Sequence, residues 1–378
     1  MNTFLKSLKY FCGYFTFLFF FLVIINIFSH LILKKNLNQN LVIKKYGLER
    51  LATAYENLPT ETVKEILDET WGKKMKIKYS SFVQFKESPK RGKYVNVSPS
   101  GFRLNNTEEA HPFPLDKNTT NIFVLGGSTT FGYGVRDNET IPAQLEKLIK
   151  KRTPATRVYN FGRAFYFSTQ ERILLENLLI EGNIPDAVIF IDGLNDFYHK
   201  DGNPTFTGYL NGAMDNSFYA AQKKFFRELP VINLLNSYKE SQNSKDSTAI
   251  EYAKKASPND ADIRAILNRY MANVRLVRAI ADNYGIKSDF IWQPVPEHKM
   301  NLASHPLYRH EDIQTEANLK RGYELAKELF AKEQLGILWA AEISDTCQGN
   351  FVDKVHYSPK FCREIAEYIF TNKLEHSE

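Results

Sequence analysis

Short apolar runs alternate with helix-length amphipathic segments from Asn121 onward. The runs are almost continuously apolar, as expected for strands that helices cover on both faces. Repeated strand–helix alternation is typical of a parallel sheet with helices packed on each side. The pattern therefore predicts an α/β domain over residues 121–378, with three α/β/α layers. Its five parallel strands are expected at 121–126, 157–162, 187–193, 288–294 and 336–342.

Capping residues indicate where the intervening helices begin. Thr140 precedes an amphipathic segment and can cap it. Ser168 and Glu171 have the S-x-x-E spacing of a capping box. An apolar stripe predicts a long helix over about 261–284, and Ser358, followed by proline, predicts the start of the last helix.

Residues 197–260 interrupt the alternation. The first part of this segment is rich in aromatic residues and the second part is polar. We interpret it as an insertion into the 121–378 domain, over the edge of the sheet where the strands end. It could form a lid or an acyl-chain surface; a plain surface excursion explains it equally well.

The N-terminus contains a long uncharged stretch. The 24 residues from Tyr10 to Leu33 include no Asp, Glu, Lys or Arg. A helix of this length crosses a hydrocarbon core of about 30 Å. A cleaved secretory signal would have a shorter apolar core and a small-residue cleavage site, which the following "SHLILKK" does not offer. The sequence therefore predicts a transmembrane helix at 10–33, preceded by a flank at 1–9.

Residues 34–120 are expected to form a tether and a small accessory region. The segment "NLPTETVKEILDETWGKK" predicts a short helix. The segment "KYVNVSPSGFRLN" alternates like an edge strand and then turns at Ser98-Pro99-Ser100-Gly101.

Two signals disagree about the side of the membrane. Four lysines follow the span and two precede it, which favours a cytoplasmic C-terminal domain, although this rule weakens for long domains. Cys347 and Cys362 are the cysteines outside the span, and a disulfide between them would need an oxidising compartment. Two unrelated buried thiols explain the pair equally well.

Composition narrows the class of partner. The 378 residues are 43% hydrophobic and 24% charged, which is ordinary for a folded protein. Lys and Arg number 49 against 43 for Asp and Glu, a formal charge of +6 spread along the chain. Because this distribution lacks the basic stripe of nucleic-acid binders, no nucleic acid is expected as a partner.

A serine flanked by glycines follows the first predicted strand, in "VLGGSTTFGYG". The stretch lacks the lysine of a phosphate-binding loop and the G-x-G-x-x-G of a dinucleotide site. It is not the G-x-S-x-G elbow either, since Thr130 occupies the last position. Ser128 at a helix N-terminus would still need a base and an orienting carboxylate to act as a nucleophile. The turn "NFVDKVHYSP" offers both, as Asp353 and His356.

Further strand ends offer donors for a developing oxyanion. These are the backbone N–H of Gly162 and the side-chain amide of Asn195. Each candidate also has an ordinary explanation as a helix cap, a surface histidine or a turn residue. His298, His305 and His310 are close in sequence, but their spacing fits no usual metal-ligand pattern, so no metal site is expected there.

Four blocks in this order resemble the SGNH/GDSL hydrolase superfamily. They are Gly127-Ser128, Asn160-x-Gly162, Gly193-Leu194-Asn195-Asp196 and Asp353-x-x-His356. The stretch "VLGGSTTFGYGV", with "ETIPAQLEKLI" after it and "NVSPSGFR" before it, is similar to a bacterial group of membrane-anchored GDSL-like proteins. The resemblance covers about residues 95–371 outside the insertion. It departs at Gly127, where the family name has Asp, although many members resembling this chain also have Gly.

The resemblance implies a flavodoxin-like SGNH fold and a role for each matching residue. Ser128 would be the nucleophile, His356 the base and Asp353 its orienting carboxylate. The backbone N–H groups of Ser128 and Gly162 and the side chain of Asn195 would form the oxyanion hole.

The function implied is a membrane-anchored serine esterase or acylhydrolase without a cofactor, acting on an ester-bearing lipid or glycan. Its catalytic domain would lie on the non-cytoplasmic side. An O-acyltransferase with the same triad is one alternative, and a non-catalytic envelope- or carbohydrate-binding protein is another.

Overall fold

The computed structural model describes residues 2–36, 40–72, 75–106, 111–214, 229–243, 259–307 and 313–375. The chain forms two compact units. The helical unit comprises Met1–Gln39 and Gly208–Lys255, and the sheet unit comprises Asn40–Thr207 and Ala256–Glu378.

The described strands are, in chain order, β1 (Ile77–Ser80), β2 (Gln84–Glu87), β3 (Thr120–Gly126), β4 (Thr156–Asn160), β5 (Ala187–Asp192), β6 (Lys287–Trp292) and β7 (Leu338–Trp339). The last five form one parallel sheet in the order β4-β3-β5-β6-β7. β1 and β2 form a separate antiparallel hairpin. The predicted α/β class and the five-stranded parallel sheet are therefore confirmed.

The described α-helices are α1 (Asn2–Asn36), α2 (Leu41–Tyr46), α3 (Leu48–Ala52), α4 (Thr60–Thr70), α5 (Ser128–Phe131), α6 (Ile141–Lys150), α7 (Ser168–Ile180), α8 (Asn195–Tyr198), α9 (Thr207–Met214), α10 (Pro230–Asn243), α11 (Asp260–Tyr284), α12 (Ile313–Lys332) and α13 (Pro359–Ile369). Short 3₁₀ turns lie at Asp137–Glu139 and Leu302–Ser304, and a π-helical turn follows α13 at Phe370–Leu374.

Successive strand residues are buried in opposite layers, which makes the domain three-layered. In β3, Phe123 and Leu125 belong to the apolar core that includes residues of α7, α11 and α12. Ile122 and Val124 belong to the core on the other face, with residues of α6 and α13. Because side chains alternate along a strand, a strand covered on both faces needs the continuous apolar run seen in the sequence.

Most predicted helix starts are confirmed, and the predicted capping box is wrong. The Thr140 side chain accepts a hydrogen bond from the Ala143 N–H at the start of α6. At α7 the N-cap is Phe167, and Ser168 is the first helical residue. The Ser168 hydroxyl instead donates to Asp196 at 2.6 Å. A buried carboxylate takes the hydroxyl that would otherwise cap the helix.

Two predicted strands are shorter than expected. The segment predicted as a strand at 336–342 pairs only at Leu338–Trp339, where β7 forms the sheet edge. The segment predicted as an edge strand around Val97 makes only isolated bridges, to Lys90 and Arg103. Its turn is present, since the Gly101 N–H donates to the Ser98 carbonyl at 2.9 Å.

The segment predicted as a tether and accessory region belongs, from Asn40, to the same compact unit as the sheet. Fully buried Arg103, which lies in this segment, connects it to the loop after Ser128. Its guanidinium pairs with Asp137 at 2.9 Å and donates to the carbonyls of Phe131, Gly132 and Val135 at 3.0, 2.6 and 2.7 Å. Arg103 thus stabilises the loop that follows Ser128.

In the helical unit, the Asn26 side chain of α1 accepts a hydrogen bond from the Val231 N–H of α10 at 3.3 Å. The window Lys9–Ile32 is the candidate membrane span among the described residues, long and apolar enough to cross a bilayer. A signal sequence near the N-terminus can satisfy the same criteria of length and composition. Much of the predicted insertion, at 215–228 and 244–258, lies outside the described residues.

We expect the replacement Arg103→Met to lower the free energy of unfolding by about 3–5 kcal/mol, because it leaves the Asp137 carboxylate buried without its cation. Urea unfolding of the full chain in detergent, followed by near-UV circular dichroism, measures this. The matched control is Arg264→Met on the exposed face of α11, which should change stability by less than about 0.5 kcal/mol. Equal effects of the two replacements would contradict the role assigned to Arg103.

Candidate active site

Three of the predicted site residues lie where three neighbouring strands of the parallel sheet, β4, β3 and β5, end. β3 ends at Gly126, and Ser128 begins the short helix α5. Gly162 follows β4, and Asn195 follows β5. Because the strands are parallel, these ends meet at one edge of the sheet, which is where ligands of open α/β sheets bind.

A chain of two hydrogen bonds joins the three residues proposed from the sequence. The Ser128 hydroxyl lies 2.9 Å from His356 Nε2, and His356 Nδ1 lies 2.8 Å from an Asp353 carboxylate oxygen. When Nδ1 carries the proton and donates to Asp353, Nε2 can accept a hydrogen bond from the Ser128 hydroxyl. The structure thus brings Ser128 together with two residues more than 200 positions later in the chain.

Asp353 is held in the ionised form that this arrangement needs. Its carboxylate accepts backbone N–H groups of Val355 and His356 at 2.9 and 2.7 Å. Burial by itself would raise the pKa of Asp353. The adjacent His356 and these N–H donors outweigh burial and lower the pKa to about 2. The side chains of Asp353 and His356 are each 13% exposed, so solvent screens their interaction only weakly.

Asn195 lies beside the turn that carries Ser128, and its side-chain amide has two N–H groups. Its amide nitrogen donates to the Tyr166 carbonyl at 2.6 Å, which uses one of its two N–H bonds. A Cβ placed on Gly127 would overlap this amide nitrogen. Glycine at 127, where the family name has Asp, therefore leaves room for the Asn195 amide next to Ser128.

Gly162 packs closely on the serine helix. A Cβ at this position would overlap the backbone nitrogen of Phe131 in α5. Its own N–H donates to the Asn160 side-chain oxygen at 3.0 Å. The Asn160 amide in turn donates to the carbonyls of Thr130 and Phe131 at 3.1 and 3.2 Å. The predicted oxyanion donor at 162 is thus engaged by a neighbouring side chain, an arrangement that the N-x-G spacing does not reveal.

Two aromatic side chains that motif analysis missed flank His356. Trp71 lies edge-on to the imidazole, with centroids 5.3 Å apart and planes at 74°. The Tyr133 ring is 5.9 Å from His356 and 6.0 Å from Trp71. Trp71 follows α4 and is distant in sequence from every block of candidate site residues, so no motif identifies it. Tyr133 belongs to the glycine-rich stretch, but its spacing carries no catalytic signature.

Three buried carboxyl groups lie behind Asn195. Glu171, Asp192 and Asp196 line, with Asn195 and Gly127, a small recess of about 10 Å³. Burial raises the pKa of Asp192 to about 7. Burial together with the Asp192 charge raises the pKa of Glu171 well above its ordinary range. Glu171, predicted to cap α7, is instead buried, and its raised pKa favours the neutral form.

The remaining histidine and cysteine candidates lie elsewhere. His298 bonds the Glu342 carboxylate at 3.0 Å, His305 bonds the Lys354 carbonyl at 3.2 Å, and His310 lies outside the described residues. Over the described ranges, no group of three or more His, Cys, Asp and Glu is placed to hold a metal ion. Cys347 and Cys362 are separate buried thiols, so the disulfide considered from the sequence is not formed.

No protein-family model and no curated protein matches the chain. Among solved structures, the acetyl xylan esterase AlAXEase is 13% identical, covering 67% of this chain and 100% of its own, with a TM-score of 0.37. A putative lipolytic protein of the G-D-S-L family from Desulfitobacterium hafniense is 14% identical, covering 66% and 97%, with a TM-score of 0.36. The acetylxylan esterase Axe2 from Geobacillus stearothermophilus is 15% identical, covering 67% and 93%, with a TM-score of 0.36. At these identities and TM-scores the likeness assigns no activity, and function has to come from the geometry of the site.

Proposed function

We propose that the chain is a membrane-anchored serine esterase or acylhydrolase of the SGNH/GDSL type. One observation carries the proposal: the hydrogen-bonded series of Ser128, His356 and Asp353 at the carboxyl edge of a parallel sheet. A serine hydroxyl, an imidazole and an ionised carboxylate in this order form the arrangement that activates a serine for acyl transfer. The four sequence blocks support the same reading.

The reaction would proceed through an acyl-enzyme. The Ser128 oxygen attacks the ester carbonyl carbon while His356 Nε2 takes the hydroxyl proton. As the carbon–oxygen bond to the alcohol breaks, His356 returns this proton to the leaving oxygen. A water molecule then attacks the acyl-enzyme, giving its proton to His356, and the Ser128 oxygen leaves and takes that proton back. The products are the alcohol and the carboxylic acid.

The developing oxyanion would be held by donors on three strand ends. The Ser128 N–H lies in the first turn of α5, where a helix offers its N–H groups no intrahelical acceptor, so it can donate to a substrate oxygen. The second N–H of the Asn195 amide is the next donor. The Gly162 N–H would join them by sharing its hydrogen between Asn160 and the substrate oxygen. Each such donor lowers the barrier by about 3 kcal/mol.

Trp71 would act as a positioning residue for His356. Its edge contact limits rotation of the imidazole about the bond that carries it. Catalytic groups displaced by about 1 Å lose up to about a hundredfold in rate. This contact links the segment before the sheet to the rate of the chemical step.

The proposed substrate is an ester of a lipid or a glycan, and the catalytic unit would lie on the non-cytoplasmic side. The apolar helix Lys9–Ile32 supports anchoring by its length and composition. The resemblance to anchored bacterial relatives supports export. Cys347 and Cys362 are buried and form no disulfide, so they do not indicate on which side of the membrane the catalytic unit lies.

We expect Ser128→Ala to lower hydrolysis of p-nitrophenyl acetate at least about a hundredfold, because the nucleophile is lost. The full chain in detergent is assayed, together with labelling by a fluorophosphonate. The control is Ser288→Ala, at the opposite end of the sheet in β6, which should leave both readouts unchanged.

Unchanged hydrolysis in Ser128→Ala would overturn the esterase proposal. Absence of fluorophosphonate labelling in the natural chain would favour a non-catalytic binding protein. Acyl transfer to an added glycan that exceeds hydrolysis would favour the acyltransferase.

For Trp71 we expect Trp71→Ala to lower kcat for p-nitrophenyl acetate about tenfold with little change in KM, because the ring orients the base and does not bind this small ester. Trp71→Phe keeps an aromatic edge and should retain most of the activity. Thermal midpoints are measured in parallel. Equal kcat values in the two variants would exclude a positioning role.

The side of the membrane has a direct test. Lys332→Cys, at the exposed end of α12, is placed in a Cys12→Ser background. A membrane-impermeant maleimide should label it in intact cells, because the catalytic unit is exported. Cys347 and Cys362 do not compete, being 0% and 1% exposed. Labelling that requires cell lysis would place the unit in the cytoplasm.

A further inference from the structure

The β1–β2 hairpin is anchored to the sheet unit by β2 and by Val83 in its turn, which is 2% exposed and accepts a hydrogen bond from Gln170 at 2.8 Å. In β2, Phe85 is 2% exposed and packs edge-on against Tyr166 at 5.4 Å. β1 is exposed along most of its length, on both faces. The hairpin (Ile77–Glu87) therefore projects a strand that makes no contribution to the core.

The projecting part is apolar where it meets solvent. Ile77, Tyr79 and Phe82 are 46%, 68% and 80% exposed. Phe82, in the turn, also has φ of +63°, a left-handed conformation that costs an ordinary side chain about 1–2 kcal/mol. Glycine or asparagine would avoid this cost. A strained, exposed aromatic side chain in a hairpin turn indicates a role in binding, because it does not stabilise the fold.

Positive charge surrounds these apolar side chains. Residues 71–93 contain eight Lys and Arg and one acidic residue, Glu87. Lys78 and Lys86 lie directly opposite each other in the hairpin register, which is a destabilising like-charge pair. Lys86 also lies close to Arg163. Within the described residues, neither Lys78 nor Lys86 forms an ion pair with a carboxylate, so an external anion would relieve their repulsion.

We infer that the β1–β2 hairpin is a second membrane contact that docks on an anionic lipid surface. Ile77, Tyr79 and Phe82 enter the interfacial region, where aromatic and aliphatic side chains are stabilised. Lys78 and Lys86 lie against headgroup phosphates, each lysine near an anionic surface contributing about 1 kcal/mol. The inference rests on the proposed membrane anchoring and is independent of the esterase chemistry.

Lipid fits this surface better than a nucleic acid does. Of the three exposed apolar side chains, Ile77 is aliphatic and offers no ring on which a base could stack. The surface does match the mixture of apolar and basic groups that lies in the plane of a bilayer interface. The same chain carries the apolar helix at its N-terminus, so a bilayer is its expected surroundings.

Docking would bring the active-site edge towards the bilayer. The hairpin borders the loop that holds Asn195: Tyr166 donates its hydroxyl to the Phe85 carbonyl, and the Ala164 N–H donates to Glu87 at 2.8 Å. The Tyr166 carbonyl accepts the Asn195 amide. A membrane contact at the hairpin would therefore lie next to the proposed oxyanion donor.

The test uses the full chain in nanodiscs of phosphatidylcholine alone or with phosphatidylglycerol. An environment-sensitive fluorophore is placed on Ser81→Cys, exposed beside Phe82, in a Cys12→Ser background. The matched control is Ile180→Cys, whose parent side chain is 81% exposed at the end of α7. Nitroxide-labelled lipids should quench the probe at 81 and not the probe at 180, and more strongly with the anionic lipid.

Two variants separate the contributions of charge and of the aromatic tip. Lys78→Gln with Lys86→Gln should weaken docking about thirtyfold, because two contacts of about 1 kcal/mol are lost. Phe82→Asn should reduce quenching while leaving the thermal midpoint equal or higher, since backbone strain is relieved. Hydrolysis of p-nitrophenyl acetate, measured in the same discs, should be unchanged in both variants.

Equal quenching at 81 and 180, or quenching insensitive to the lysine and Phe82 replacements, would overturn the inference. So would a response of the probe at 81 to single-stranded RNA in place of lipid. Failure of the chain to co-elute with the discs would refute the membrane anchoring on which the inference rests. Absence of ester hydrolysis, with lipid-dependent quenching intact, would refute the esterase proposal alone.

Discussion

The hydrogen bond between Ser128 and His356 exists because its two partners are fixed on separate supports. Ser128 is placed by the end of β3 and the start of α5. The turn carrying His356 is held by the Val352 N–H, which donates to the His356 carbonyl at 2.8 Å, and by the Tyr357 hydroxyl, which donates to the Pro294 carbonyl at 2.7 Å. Two groups held independently at bonding distance need little rearrangement before a reaction, which is the condition for activating a weak nucleophile.

Buried ion pairs connect the segment that precedes the sheet to the sheet edge that carries Ser128. Arg103 neutralises Asp137 and fixes the carbonyls of the loop after Ser128. Arg163 lies 3.7 Å from Glu87 of the hairpin and donates to the Gly101 carbonyl. Unpaired charge in the interior is costly, so these pairs hold the two parts of the chain in one arrangement. The surroundings of His356, including Trp71, are therefore part of the same folded unit as Ser128.

Predictions from neighbouring residues were wrong where a residue distant in the chain bonds the group that was expected to bond locally. Ser168 has the sequence of a helix cap, yet its hydroxyl donates to Asp196 and accepts from Asn273 at 3.0 Å. Asp196 also accepts the Ser168 N–H at 3.4 Å, so this buried carboxylate serves the buried start of α7 in place of a capping side chain. The segment around Val97 alternates like a strand but is paired only at isolated bridges, since its polar groups bond Asp137 and Glu69.

The layered α/β architecture and most of the helix starts follow from the amino-acid order alone, because periodicity and capping are properties of neighbouring residues. The order of the motifs also pointed to Ser128, Asp353 and His356 as partners. The folded chain was needed to see that Trp71 packs on the imidazole, that Asn160 accepts the Gly162 N–H and that the two thiols stay apart. It was also needed to see that the β1–β2 hairpin exposes Phe82 to solvent. These relations join residues distant in the chain, and their energies depend on burial and on competing partners, which no spacing of residues encodes.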